Sequence, residues 1–179
     1  MNIENRRMKK TKLLIIIFAV IVFSAACFKI KPISAIPSIE FISFEVFDTI
    51  EPNLQNNVKG GKLIFKFKDG DGDVGIPSSD SISTNFELTL YRKINGEMQL
   101  VTDSSDFLLP GSNYRIPYLE PIGQSQILSG EISILLLYPS YKPTDTIKYH
   151  FNIIDRAGNI SNTEETAEII VAQNDVYKK

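Results

Sequence analysis

The chain has 179 residues, of which 43% are hydrophobic and 22% are charged, and its formal net charge is −2. This is the composition of an ordinary globular protein. One cysteine and one histidine exclude a disulfide framework, a cysteine-based zinc cluster and a site with several histidine ligands. Because the common sets of catalytic residues are missing from the sequence, we expect a protein that is not an enzyme.

Residues 1–26 are predicted to be a signal peptide. Five basic residues precede an apolar run over residues 13–23, and small residues follow it. The run has 11 residues, whereas a membrane-spanning helix needs about 20. The small residues before Cys27 resemble the lipobox of bacterial lipoproteins, which is cleaved between the residues that correspond to Ala26 and Cys27. That resemblance implies a thioether-linked diacylglycerol and an acyl chain such as palmitate on Cys27, and therefore anchoring to a membrane.

Residues 27–38 contain Pro32 and Pro37 and have no regular period, which predicts an extended tether. At about 3.1 Å per residue, the tether spans roughly 30 Å. In lipoproteins of the Bacteroidetes type, acidic residues just after the cysteine resemble a signal for surface display. Here Phe28 and Lys29 follow instead, so we expect attachment to the outer membrane on its periplasmic face.

The mature chain is predicted to be acidic. Residues 1–26 contain five of the 19 basic residues and one of the 21 acidic residues, so 14 basic and 20 acidic residues remain, with a net charge of −6. Nucleic-acid binding needs a basic surface. We therefore expect no nucleic-acid partner.

Residues 39–179 are predicted to form one domain. Apolar residues alternate with polar ones over short runs that end at Gly, Pro, Asn or Asp, which is the pattern of β-strands. These runs predict an all-β fold, an antiparallel immunoglobulin-like sandwich of about seven strands. The runs are IEFISFEVFD, KLIFKFKD, FELTLYRK, EMQLVT, EISILLLY, TIKYHFNIID and AEIIVA. Asn95-Gly96 lies between two of these runs and predicts a hairpin turn. In TIKYHFNIID the alternation predicts an inward-facing set, namely Ile147, Tyr149, Phe151 and Ile153.

Two resemblances support this fold. The segment YHFNIIDRAGNISN is similar to the closing strands of bacterial immunoglobulin-like surface domains, in which a strand ends in Asp-x-Ala-Gly-Asn. Over nearly the whole mature chain, the order of SIEFISFE, LIFKFKDGDGDVG, LTLYRK, YRIPYLEPIGQ and IKYHFNIIDRAGNISN resembles a family of uncharacterised Bacteroidetes lipoproteins. The family implies a cell-envelope location and a sandwich fold, and it implies no activity.

One acidic loop is a candidate metal site. Asp69, Asp71 and Asp73 stand at alternate positions, and Asp80 follows Asp69 by eleven residues. This spacing matches side-chain positions 1, 3, 5 and 12 of the calcium loop of EF-hands, although a valine replaces its glycine and no helices flank it. In immunoglobulin strand order, Asp155 lies at the same end and can complete a calcium shell. The alternative is a solvated turn without metal, in which the aspartates accept hydrogen bonds from nearby amides.

The sequence favours a lipid-anchored, non-catalytic binding or structural module of the cell envelope, with a protein or glycan as partner. One alternative is a glycan-binding module that uses exposed tyrosines, and the candidates are Tyr114, Tyr118, Tyr138 and Tyr141. The other is a carboxylate-based hydrolase that uses Asp103, Asp106 and Glu120.

Overall fold

The computed structural model describes residues 33–53, 55–80, 84–103, 106, 108, 114–120 and 126–179. Predictions for residues 1–32, including cleavage after Ala26 and lipid attachment at Cys27, lie outside the described residues. Ile33–Lys179 is one compact unit. Within the described part of the chain, no helix has the length and apolar character needed to cross a membrane.

Two antiparallel sheets make up the unit. The strands are β1 (Ser38–Ile50), β2 (Asn57–Asp69), β3 (Phe86–Ile94), β4 (Glu97–Leu100), β5 (Leu128–Tyr138), β6 (Thr146–Ile153), β7 (Glu164–Glu165), β8 (Ile169–Ile170) and β9 (Asp175–Lys178). The first sheet has the strand order β5-β2-β1-β9, and the second has the order β4-β3-β6-β7, with β8 also paired to β6. The predicted all-β antiparallel sandwich is confirmed. The described residues contain more strands than the predicted seven because residues 164–178 form three short ones.

The core lies between the sheets and is built from alternate residues of the strands. In β2, Leu63, Phe65 and Phe67 are buried, while Lys66 and Lys68 are exposed on the other face. Aromatic rings connect the two layers, since the ring of Phe65 stacks on that of Phe86 at 5.6 Å. Each such side chain contributes about 1.5–3 kcal/mol by its burial. In β6 the buried set is the predicted one, namely Ile147, Tyr149, Phe151 and Ile153.

A pair of glycines lies inside β2 rather than in a turn before it. A Cβ atom on Gly60 would lie 2.7 Å from the ring of Phe47, and one on Gly61 would lie 2.5 Å from the ring of Phe44 and 2.8 Å from that of Tyr138. The missing side chains therefore make room for aromatic rings against the strand. Because the two glycines can belong to the strand, β2 begins at Asn57, five residues before the predicted run KLIFKFKD.

Two hydroxyl side chains replace backbone partners beside β6. The Ser161 hydroxyl accepts the N–H of Ile153, and the Thr166 hydroxyl accepts the N–H of Tyr149, each at 3.0 Å. Because both amides are buried, leaving either without an acceptor costs about 1–3 kcal/mol. These side chains allow the irregular segment that contains the short β7 to lie along β6.

The predicted Asn-Gly turn joins β3 to β4. Asn95 and Gly96 have φ angles of 53° and 90°, the left-handed values that a two-residue hairpin turn requires. Tyr91 pairs with Leu100 in the resulting ladder. The predicted hairpin is therefore confirmed.

A polar cluster holds β9 to the first sheet. The ammonium group of Lys59 lies 2.7 Å from the carboxylate of Asp48 and donates to the side-chain oxygen of Asn174, also at 2.7 Å. The amide of Asn174 donates in turn to Asp48 at 2.6 Å. Lys59 is buried, whereas 72% of the Asp48 side chain is exposed. The cluster connects β1 and β2 to the residue that precedes β9.

Candidate metal centre

Three carboxylates converge at one end of the sandwich. Asp69 is the last residue of β2 and points inward, as the alternation of that strand requires. Asp73 follows four residues later, and Asp155 comes two residues after β6. One oxygen atom from each residue lies within 4.8 Å of the corresponding atoms of the other two. The structure thus brings Asp155 to the acidic loop, as immunoglobulin strand order implies.

Asp69 is the most enclosed member of the cluster, with no surface exposed to solvent. Its Oδ2 atom accepts the backbone N–H groups of Asp73 at 2.8 Å and Val74 at 3.1 Å. These bonds fold the chain after β2 back over the carboxylate. Its Oδ1 atom is buried and has no hydrogen-bond partner among the described residues.

Asp73 and Asp155 join the two loops that meet at this end. The Oδ2 atom of Asp73 accepts the N–H of Ala157 at 2.9 Å, and its backbone oxygen accepts the N–H of Arg156 at 3.2 Å. The other carboxylate oxygen of Asp73, Oδ1, is buried without a described partner. Asp155 accepts the backbone and side-chain N–H groups of Asn159 at 2.7 and 2.8 Å. Asn159 therefore orients the Asp155 carboxylate within the Asp-x-Ala-Gly-Asn segment, and the Asp73 carboxylate holds the backbone of that segment at Ala157.

The cluster is electrostatically strained when it holds no cation. Burial raises the pKa of Asp69 even though two backbone N–H bonds favour the ionised form, and the nearby Asp71 carboxylate raises it further. Burial also raises the pKa of Asp73, and repulsion from Asp155 and Asp71 adds to that effect. Both carboxylates thus lose hydration on burial, and the hydrogen bonds from backbone N–H groups replace it only in part.

These residues fit a hard metal ion. Calcium takes six to eight oxygen ligands, and magnesium takes oxygen ligands with tighter geometry. The cluster offers only carboxylate oxygens, and two of them are buried without a hydrogen-bond donor. Either a bound cation or protonation satisfies such atoms. The acidic group of Asp69, Asp73 and Asp155 can therefore hold a metal ion.

The structure does not bring Asp71 and Asp80 into this cluster. β2 ends at Asp69, and the chain turns at Gly72, whose φ angle is 72°. Asp71 is exposed in this turn. Asp80 lies in a later turn, where its N–H donates to the oxygen of Pro77. Thus the cluster does not follow the spacing of a 12-residue calcium loop. It forms where two loops distant in sequence meet.

Asn85 holds residues 114–118 beside the segment that follows the acidic loop, a role that the sequence does not indicate. Its side chain is buried, accepts the N–H of Ile116 at 2.7 Å and donates to the oxygen of the same residue at 3.2 Å. Ile116 in turn accepts the N–H of Ile76 at 3.0 Å, and Ile76 accepts the N–H of Tyr118. Residues 114–118 therefore run beside the acidic loop and hold its far end in place.

The four candidate tyrosines do not form one surface. Tyr138 is 1% exposed, and its hydroxyl group lies 2.9 Å from that of Tyr149, so its ring belongs to the core and not to a ligand site. Tyr114 is half-buried, with its ring edge-on to a core phenylalanine. Tyr118 is exposed at the aspartate end, whereas Tyr141 is exposed in the loop between β5 and β6 at the opposite end. A flat aromatic platform for a sugar is not formed by these residues.

The carboxylates considered for hydrolysis include one with a structural role. Asp106 forms an ion pair with Arg92 at 2.7 Å and accepts the N–H of Leu108 at 2.9 Å. His150 lies on the outer face of β6, with its ring 4.4 Å from that of Tyr91 and its Nε2 atom 3.2 Å from Glu165. Neither arrangement pairs a nucleophile with a base.

No protein-family model, curated protein or solved structure matches the chain. The chemistry of this end of the sandwich therefore follows from the chain's own residues.

Proposed function

We propose that the chain is a lipid-anchored lipoprotein of the bacterial cell envelope, and that its sandwich is a non-catalytic binding or structural module stabilised by calcium. The observation that carries the calcium part is the convergence of Asp69, Asp73 and Asp155, with buried oxygens that lack hydrogen-bond donors. The lipid part is supported by the sequence around Cys27. The outer membrane is the proposed location, with the domain on the periplasmic side.

Calcium is favoured over other cations by the ligand chemistry. The cluster supplies carboxylate oxygens without nitrogen or sulfur, a set that suits calcium, magnesium or manganese rather than zinc or copper. Magnesium needs near-ideal octahedral geometry, whereas calcium tolerates an irregular shell completed by water. Three carboxylates from two separate loops form an irregular set, which fits the second requirement better.

Calcium binding is tested by calorimetric titration of the purified full chain in detergent micelles. We expect one site, with a Kd of about 10⁻⁴ to 10⁻³ M, as in extracellular calcium modules. Asp155→Asn should weaken binding at least about tenfold, a loss of about 1.4 kcal/mol. The matched control is Glu97→Gln, which removes the same charge from an exposed position in the β3–β4 hairpin at the opposite end. Equal effects of the two substitutions, or no binding at millimolar calcium, would contradict the proposal.

Anchoring is tested separately by replacing the thiol. Wild-type protein should incorporate labelled palmitate and stay with the membrane fraction in high salt, because two or three acyl chains hold a protein firmly. Cys27→Ser should lose the label. If the label persisted in this variant, the proposed lipidation site would be wrong.

A further inference from the structure

We propose that metal binding at Asp69, Asp73 and Asp155 controls whether residues 33–36 are docked on the acidic loop, so that the site regulates the length of free chain between the sandwich and its anchor. This inference rests on the proposed function, since it assigns a regulatory role to the same calcium site. The structural basis is a direct contact between the acidic loop and residues 33–34.

The contact is made through Gly70, which lies between two aspartates of the loop. Its N–H group donates to the backbone oxygen of Ser34 at 3.0 Å. A Cβ atom at this position would collide with the oxygen of Ser34 and lie 2.6 Å from that of Ile33. The two backbones therefore lie closer together than any residue other than glycine permits. Residues 33 and 34 are therefore seated on the part of the loop that the metal site would order.

Residues 33–36 have little else to hold them. Ser34, Ala35 and Ile36 are exposed. Among the described residues, the bond from Gly70 is the one hydrogen bond that joins this segment to the rest of the domain, because the N–H of Ile36 donates within the segment to the Ser34 hydroxyl. Firm attachment begins at the start of β1, where Asn162 both donates to and accepts from the backbone of Ile39. Docking of the tether thus depends on where Gly70 is placed.

The position of Gly70 depends on the charge of the cluster. Asp69 immediately precedes it, is fully buried and has one oxygen without a partner. A divalent cation would draw Asp69 and Asp73 together and fix the glycine-containing turn. Without a cation, repulsion among the carboxylates loosens the turn, and the bond to Ser34 is lost. Release of residues 33–36 adds about 13 Å of free chain at roughly 3.3 Å per residue.

The test follows the mobility of a nitroxide label on the tether of the full chain in detergent micelles. Cys27→Ser removes the native thiol, and Ala35→Cys supplies an exposed labelling site. The matched control carries its label at exposed Ser140, in the loop between β5 and β6 at the opposite end. Calcium binding is measured by titration calorimetry on the same samples. We expect calcium to lengthen the rotational correlation time of the label at position 35 at least about twofold and to leave that at position 140 unchanged.

A second variant separates binding from docking. Gly70→Ala keeps all three carboxylates but places a methyl group against residues 33 and 34. It should still bind calcium, more weakly than wild type because binding and docking are coupled, while the label at position 35 stays mobile. Binding of calcium without immobilisation of the wild-type label would overturn this inference and leave the calcium site intact. Absence of calcium binding would overturn both. If Gly70→Ala did not fold, the labels at positions 35 and 140 in the chain that keeps Gly70 would still show whether calcium immobilises residues 33–36.

Discussion

Replacing Asp73 with asparagine should change stability in opposite directions with and without calcium. Without metal, the substitution removes a charge within 4.8 Å of Asp69 and Asp155. Two full charges at that distance repel by about 1 to 3 kcal/mol for effective dielectric constants between about 80 and 20. Because Asp73 is only partly buried, solvent screens its charge, and we expect a gain near the lower figure at pH 7.

With calcium, the same substitution should lose the stabilisation that binding supplies. Calcium at 10 to 100 times its Kd stabilises the folded state by about 1.4 to 2.7 kcal/mol. For a domain of this size that amounts to roughly 3 to 11 °C in Tm. Wild-type protein should therefore melt higher in calcium than in chelator by this amount, and Asp73→Asn should show little of the shift.

The pH dependence provides an internal check on the metal-free form. A carboxyl group whose pKa is raised by folding stabilises the protein below its unfolded pKa, near 4, and this stabilisation is lost as the pH rises through the folded pKa. The metal-free advantage of Asp73→Asn should thus be present at pH 7 and vanish by about pH 4. Urea denaturation in chelator at both pH values measures it. Asp73→Asn would refute the reasoning if it were less stable than wild type at pH 7 without metal and showed the same calcium-dependent rise in Tm. The acidic loop would then be an ordinary turn.

Three further predictions concern the fold. Tyr149→Phe leaves the Tyr138 hydroxyl buried without a partner and should cost about 1–3 kcal/mol in urea denaturation, whereas the double replacement by phenylalanine should cost less than the sum of the single changes. Gly61→Ala should cost about 1–3 kcal/mol because its Cβ would lie 2.5 Å from a core ring, while Gly130→Ala, whose nearest contact is 3.3 Å, should be milder. Hydrogen bonds lower the pKa of Asp48, and the one from Lys59 has a larger effect than the one from Asn174. The stability from that ion pair should therefore be present above pH 4 and be lost as the pH falls through the lowered value, and an NMR titration midpoint at or above 3.8 would contradict it.

The strands could be predicted because alternation records which face of a strand is buried. Leu63, Phe65 and Phe67 show the pattern most clearly, and its continuation places Asp69 inward. The first part of the same strand is not predicted, because the pair Gly60 and Gly61 is typical of a turn. Only the packing of aromatic rings from other elements explains why glycine is needed there.

The metal centre was predictable only in part. Strand order implies that Asp155 meets the loop after β2, whereas residue spacing says nothing about how Gly72 turns the chain and excludes Asp71. Tyr138 illustrates the same limit, because a tyrosine at the end of a strand looks identical in sequence whether its hydroxyl faces solvent or another buried hydroxyl. The support from Asn85 comes from a long-range hydrogen-bond pair that no local pattern records.

The antiparallel pairing of β1 with β9 determines how the domain would respond to a pulling force. Ser43 pairs with Lys178 and Val46 pairs with Asp175, so the start of β1 and the end of β9 lie at the same end of the sheet. A load applied between Ser38 and Lys179 would separate these strands like a zipper, one pair at a time, instead of shearing all four pairs together. Opening would then reach Asn174, where the hydrogen bonds to Asp48 and Lys59 form the last barrier before the final strand detaches. The domain is thus mechanically weak along this direction.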